Sequence, residues 1–122
     1  MDGFTRVVGF DGDEPTGFAY GAPLHPGREW WRSTKFVPDR DAASTYAVSE
    51  VMVRPKWRKQ GVSDLLHGAL LKERDEDLAV LLVDVSHPKV QGLYETWGYM
   101  KAGEQRPFAD SPLYAVMVKS LS

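Results

Sequence analysis

The residues with the most chemistry in them gather around one glycine. In "VMVRPKWRKQGVSDLLHGALL", residues 51–71, Arg54, Lys56, Arg58 and Lys59 crowd a turn that ends at Gly61, and a helical pattern follows from Ser63. A strand stopped by Pro55, which cannot donate to a ladder, a glycine free to take a positive φ and a helix start leave several backbone N–H groups without intrahelical partners. Such groups project from the positive end of the helix and accept an anion, most naturally a phosphate. The four cations add a field of the same sign, and Ser63 is placed to act as N-cap and donor. A solvated basic face ahead of an ordinary helix is the competing account. Neither G-x-x-x-x-G-K-[ST] nor G-x-G-x-x-G occurs, so the turn is not one of the common nucleotide loops.

The elements that must position this turn follow from pattern. "TRVVGF" and "TGFAYGAPL" are short β-forming runs joined by the turn residues "DGDEP", a hairpin. Residues 24–45, "LHPGREWWRSTKFVPDRDAAST", keep no period and form a long connection of the kind that often carries function. "YAVSEVMV" makes the strand ahead of the glycine turn. Beyond it Val62, Leu65, Leu66, Ala69 and Leu70 recur at three- and four-residue spacing and predict the buried face of a helix, with His67, Lys72 and Arg74 falling elsewhere. "LAVLLVDV" is apolar almost without a break, as in a strand covered on both sides. "KVQGLYETWGY" is a short helix stopped at Gly98, and "YMKAGE" and "LYAVMVKSL" are two last strands. The order β-β-loop-β-turn-helix-β-helix-β-β is a mixed α/β layout in which the strands flanking the first helix pair in parallel across a crossover. The glycine turn then lies at the carboxyl end of its strand, where α/β sheets bind ligands.

Composition narrows the classes of function. The chain has 122 residues, enough for one compact domain, with 15 Lys and Arg against 17 Asp and Glu, a formal net charge of −2, and no global field for nucleic acid. Cysteine is absent, which excludes disulfides, cysteine metal sites and a thiol nucleophile. His25, His67 and His87 are too scattered to argue a metal site. The N-terminus lacks a basic region followed by an apolar one, and no apolar run approaches the ~20 residues of a membrane-spanning helix. A soluble, unexported, cytoplasmic protein is the expectation.

Two segments resemble one family. "VRPKWRKQGVSDLLHGALL" is similar to the acyl-CoA-binding motif of the Gcn5-related N-acetyltransferases, a strand ending V-x-P and then R/Q-x-x-G-x-G/A opening a helix. Arg58, Gly61 and Ser63 fill its marked positions, with Ser63 in place of the usual Gly or Ala. "HPKVQGLYETWGY" resembles the later N-x-x-A-x-x-L-Y-E-x-x-G-F pattern of the same family. Leu93, Tyr94, Glu95, Gly98 and Tyr99 are in register, and His87 and Val90 stand where Asn and Ala are commoner. The resemblance covers about residues 5–120.

It implies a mostly antiparallel sheet in which the third and fourth strands splay and acetyl-CoA threads between them. The pantetheine arm would pair with the backbone of Met52 and Val53, and N–H groups from Arg58 through Lys59, Gln60, Gly61 and Val62 to Ser63 would hold the pyrophosphate. Without a cysteine, direct attack of an amine in a ternary complex is the chemistry implied. It needs a base for the ammonium, a donor for the oxyanion and a proton for the leaving thiolate. Tyr94 matches the family's tyrosine that protonates the departing sulfur; a satisfied core aromatic is its other reading. For the base, alternation in "SEVMV" sets Glu50 with Met52 and opposite Val51 and Val53, and a carboxylate in a strand faces solvent or a site. Asp84, inside "LLVDVSH", competes, either as a structural group or acting through water. Trp30 and Trp31 are candidate acceptor-lid contacts, with stapling of the loop to the core as the alternative. Trp57 and Trp97 read as packing residues. Family members generally carry another strand and one or two helices ahead of the hairpin. A shortened domain, a homodimer that covers the exposed "TRVVGF" edge, or an acyl-CoA-binding module without transfer are therefore all expectations to be met or corrected.

Overall fold

The computed structural model describes residues 4–38 and 43–121. The strands are β1 (Thr5–Asp11), β2 (Glu14–Pro23), β3 (Thr45–Val53), β4 (Leu78–Asp84), β5 (Met100–Gln105) and β6 (Tyr114–Ser120). Helices α1 (Val62–Leu71) and α2 (Pro88–Thr96) follow β3 and β4, and short 3₁₀ turns stand at Trp30–Ser33 and Pro55–Trp57. Part of the long 24–45 connection lies outside the described residues.

One six-stranded sheet runs in the order β1-β2-β3-β4-β6-β5. Every pair is antiparallel except β3 with β4. That parallel pair is matched only at Thr45↔Leu78, Tyr46↔Ala79 and Ala47↔Val80. Beyond it the two strands part and leave a V whose arms are residues 48–53 and 81–84. An antiparallel neighbour holds each arm from its outer side, β2 on β3 and β6 on β4. The V therefore stays open without unravelling the sheet.

Both helices lie on one face. Leu66 and Leu70 of α1 join Tyr46, Val48, Leu81, Val83, Tyr99 and Met117 in a buried cluster, against which Val51, Val53, Tyr94 and Trp97 pack. The expected face of α1 is corrected here: Leu65 is 73% exposed, whereas His67 is buried. The helix is rotated so that the His67 Nε2 meets the Tyr99 hydroxyl at 2.7 Å and its ring stacks on Trp97 with centroids 4.4 Å apart. A satisfied histidine can take a core position that periodicity reserves for leucine.

The opposite face is closed only over its C-terminal half. There the 24–38 segment lays Trp31, Phe36 and Leu24 on Ala47, Val80, Val116 and Val118. Over β1–β3 the same face carries Phe4, Val8, Phe18, Tyr20 and Met52 around an open apolar hollow of about 560 Å³.

A bulge at the centre of β3 sets which side chain goes where. Tyr20 pairs with Glu50 but Gly21 with Val48, so Ser49 is an extra residue. Tyr46 and Val48 before it, and Val51 and Val53 after it, all belong to the helix-covered face. Ala47 belongs to the other.

Candidate functional site

The mouth of the V on the helix face is a cleft of about 840 Å³. One wall is Val51, Met52 and Val53 of β3; the floor turn gives Arg58, Lys59, Gly61, Val62, Ser63 and Asp64; and α2 gives Val90, Leu93, Tyr94 and Thr96, with Trp97 just beyond. Val90 and Leu93 are each 42% exposed because they look into this space rather than into a core. An apolar wall facing a polar turn fits a long ligand with an apolar arm and an anionic end.

The backbone on the β3 side is available. Arg54 N–H donates to Thr16 C=O at 2.8 Å. Peptide groups alternate between the two edges of a strand, so Met52 also turns its N–H and C=O toward β2. The peptide groups of Val51 and Val53 are left on the edge that β4 has abandoned. Of the two residues that the sequence motif implied for an extended arm, Val53 has its peptide groups on this edge and Met52 faces β2. Val53 C=O receives the Arg58 Nε at 3.2 Å.

The turn is built by conformation more than by side chains. Lys59 holds a φ of 64° and Gly61 one of 79°. These successive left-handed residues swing the chain from β3 into α1. Gly61, not Ser63, is the N-cap, and Leu65 N–H bonds back to its C=O at 3.2 Å. Ser63 is therefore the second helical residue, and the N–H groups of Val62, Ser63 and Asp64 form the helix end that lacks intrahelical partners. A β-carbon at Gly61 would meet nothing within 4 Å, so the space beside it is open. The four cations divide. Lys56 Nζ lies 4.8 Å from the Trp57 ring centroid and 3.4 Å from Glu14, and Arg54 donates to Pro15 C=O at 2.8 Å; both serve the hairpin. Arg58 and Lys59 remain at the cleft and outnumber the single acid there, Asp64. Gln60 does not line it, since its side chain donates to Lys56 C=O at 3.1 Å.

Tyr94 is held by edge-to-face aromatic contacts. Trp97 lies 5.1 Å away at 78° and Tyr99 5.9 Å away at 73°. No protein partner for the Tyr94 hydroxyl is found among the described residues, and no buried side-chain polar atom lacks one, so that hydroxyl is reached from the cleft. Burial raises its pKa above the usual phenol value and keeps it protonated at neutral pH. Beneath it, burial and then the Lys119 ammonium lower the His67 pKa to about 4, with Asp64 opposing. His67 is neutral.

The other mouth of the V opens on the opposite face. A hollow of about 330 Å³ is lined by Trp30, by Val48 and Ser49 of β3, by Leu82 of β4, and by Pro107, Phe108, Ser111 and Tyr114 from β6 and the connection before it. Val48 and Leu82 lie just past the last paired residues, so this hollow abuts the apex of the V. Glu50 adjoins it. Its carboxylate accepts a hydrogen bond from the Tyr20 hydroxyl at 3.1 Å, and that bond is the first cause of a raised Tyr20 pKa. Asp84 is spent on a turn: it accepts from Ser86 N–H at 2.9 Å and Ser86 Oγ at 2.8 Å, bonds that lower its pKa. Trp30 reaches the hollow, whereas Trp31 is 3% exposed, donates through Nε1 to Thr45 Oγ1 at 3.0 Å and is a core residue. Sequence reasoning missed Val51, Val90 and Trp97 in the cleft and Ser49, Phe108 and Tyr114 in the hollow. Strand-edge parity signals Val51; nothing in the patternless 105–113 stretch signals Phe108. Among the described residues, no group of three His, Asp or Glu could hold a metal ion, and no helix is long and apolar enough to cross a membrane.

No family model matches the chain, and no curated protein matches it. Solved structures do. NAA60 from Arabidopsis thaliana, in complex with a bisubstrate analogue, superposes with a TM-score of 0.75 at 14% identity over 100% of this chain and 78% of that one. The ribosomal-protein-S18-alanine N-acetyltransferase from Escherichia coli gives 0.72 at 19% identity, covering 100% and 72%. The chain has the Gcn5-related N-acetyltransferase fold. Ard1 from Thermoplasma volcanium gives 0.66 at 17% identity, with 89% of this chain matched but only 65% of the other's length spanned.

Proposed function

We propose that the protein is an N-acetyltransferase that moves the acetyl group of acetyl-CoA to a primary amine of a small molecule or a protein. The observation that carries this reading is the V between β3 and β4, open at both mouths: a backbone-lined cleft on the helix face and a second hollow on the other. In this reading the free edge of β3 at Val51 and Val53 pairs with the pantetheine arm, and the N–H groups of Val62 and Ser63, with Arg58 and Lys59, take the pyrophosphate. The acceptor enters the opposite hollow. Glu50 takes one proton from the ammonium, the amine nitrogen bonds to the acyl carbon as the carbon–sulfur bond breaks, Tyr94 gives its proton to the departing thiolate, and the second proton lost by the nitrogen as the amide forms returns to the Tyr94 phenolate through solvent. A β3 backbone N–H on the open edge donates to the oxyanion.

One experiment separates binding from transfer. Acetyl-CoA at 100 times its Kd is expected to stabilise the wild type by about 2.7 kcal/mol, and Gly61→Asp to remove most of that, because the new carboxylate stands in the anion site. Tyr94→Phe is expected to keep the thermal shift and to lower the rate of thiol release by about 10²- to 10⁴-fold. An equal shift in wild type and Gly61→Asp would place the ligand elsewhere.

A second reading is favoured by the engagement of Glu50 with Tyr20: an acyl-CoA-binding module without transfer. Its signature is the full acetyl-CoA shift with no thiol release over an amine panel. We also propose that the chain self-associates as a homodimer through the open face of β1–β3.

A further inference from the structure

The hollow on the acceptor side has a composition that selects among amines. Trp30, Val48, Leu82, Phe108 and Tyr114 line it, Ser111 is among its few polar side chains, and no lining residue is charged. Its volume of about 330 Å³ holds one ring and a short chain, at the small end of ligand sites.

Charge around it points the same way. Arg106 bonds the Ser111 C=O at 2.6 Å, on the connection that forms one wall. Arg28 and Arg32 stand on the segment that delivers Trp30. Glu29 in that segment is buried and fully engaged, accepting from Arg32 Nε at 2.7 Å and Gly27 N–H at 3.0 Å. Asp110 is the one other acid in the connection between β5 and β6. Glu50 follows Ser49 along β3 and is engaged by Tyr20, and Asp84, paired with Tyr114 in the other arm, is engaged by Ser86. A second positive charge on the acceptor's body would enter a hollow whose lining residues are all uncharged. An unpaired charge so placed costs several kcal/mol or is excluded.

We infer that the acceptor is a monoamine with an uncharged aromatic or branched apolar body, of the arylalkylamine type, and not a polyamine or an aminoglycoside. This deepens the transferase reading and rests on it for the chemistry, but not for the binding.

The test is a pair of measurements on the full chain saturated with CoA or acetyl-CoA. Calorimetry on the CoA-loaded protein compares phenethylamine with spermidine, and thiol release with acetyl-CoA gives kcat/KM for the same two amines. Phenethylamine is expected to be preferred by at least about tenfold in both, in keeping with what an apolar pocket can discriminate. Phe108→Asp, at an exposed site that carries little of the fold, is expected to weaken phenethylamine and strengthen spermidine. Selective phenethylamine binding without thiol release would uphold the pocket chemistry and sink the transferase reading. Equal or reversed preference overturns the inference, and so does absence of phenethylamine binding in a protein that still shifts with acetyl-CoA.

Discussion

Two halves of one sheet face meet opposite fates. Over β4, β6 and β5, alternate strand residues are sealed by the 24–38 segment, which Leu24 ties through its N–H to Thr45 C=O at 2.9 Å and Trp31 through its indole to the Thr45 hydroxyl. Over β1–β3, residues of the same alternation stay bare, with Phe4 49%, Val8 45% and Met52 44% exposed. The strands themselves do not differ in kind. Whether a strand's apolar side becomes core is decided by what the rest of the chain lays over it.

That contrast can be broken most severely at Trp31. Trp31→Ala would empty the sealed half and take from the Thr45 hydroxyl its indole donor, and a loss of about 3–5 kcal/mol in denaturant unfolding is expected. Truncating Met52 on the bare half is expected to stay within about 0.5 kcal/mol, so comparable losses would mean the two halves are not unlike after all.

The helix-covered face supplies the next test, because its core holds a histidine. The lowered His67 pKa means that the unfolded chain takes up the proton first as pH falls from about 6.5 to about 4. Stability present above pH 6.5 drains through that window by about 3 kcal/mol, and His67→Gln, which can still meet Tyr99, is expected to flatten this part of the profile. An unchanged slope would move the titration to other groups.

The smallest effect on folding is expected where the face is bare. Phe18→Ser should barely alter unfolding but should shift sedimentation toward the monomer if a second chain covers β1–β3, since obligate interfaces bury about 2,000 Å² or more in total. A wild type that is monomeric at micromolar concentration would leave the face free for another use.

The sequence disclosed the fold's order and the turn well, because strand runs, Gly61 and Gly98 are local signals. It was less informative where tertiary contacts choose between local options. The buried side of α1 was misjudged because the Tyr99 hydroxyl makes His67 a better core residue than Leu65. The cap passed from Ser63 to Gly61 because positive φ angles at Lys59 and Gly61 bring the chain round two residues sooner. Asp84 in an apolar run read as a competing base or a structural group, and Ser86 two residues on engages its carboxylate within a turn. The lining of the acceptor hollow had no signature, since Trp30, Ser49 and Phe108 meet only in three dimensions.

The extra residue in β3 has a consequence for anyone recombining this chain. Ser49 inverts the parity of the strand, so odd and even positions exchange roles there. An unbulged strand of the same nine residues would drive the Glu50 carboxylate toward the helices and turn Val51 and Val53 outward, whereas deleting Ser49 alone restores plain alternation and keeps the arm's side chains where they are. A graft from an unbulged strand must therefore arrive one residue shorter than the segment it replaces, or it will deliver a correct composition to the wrong side.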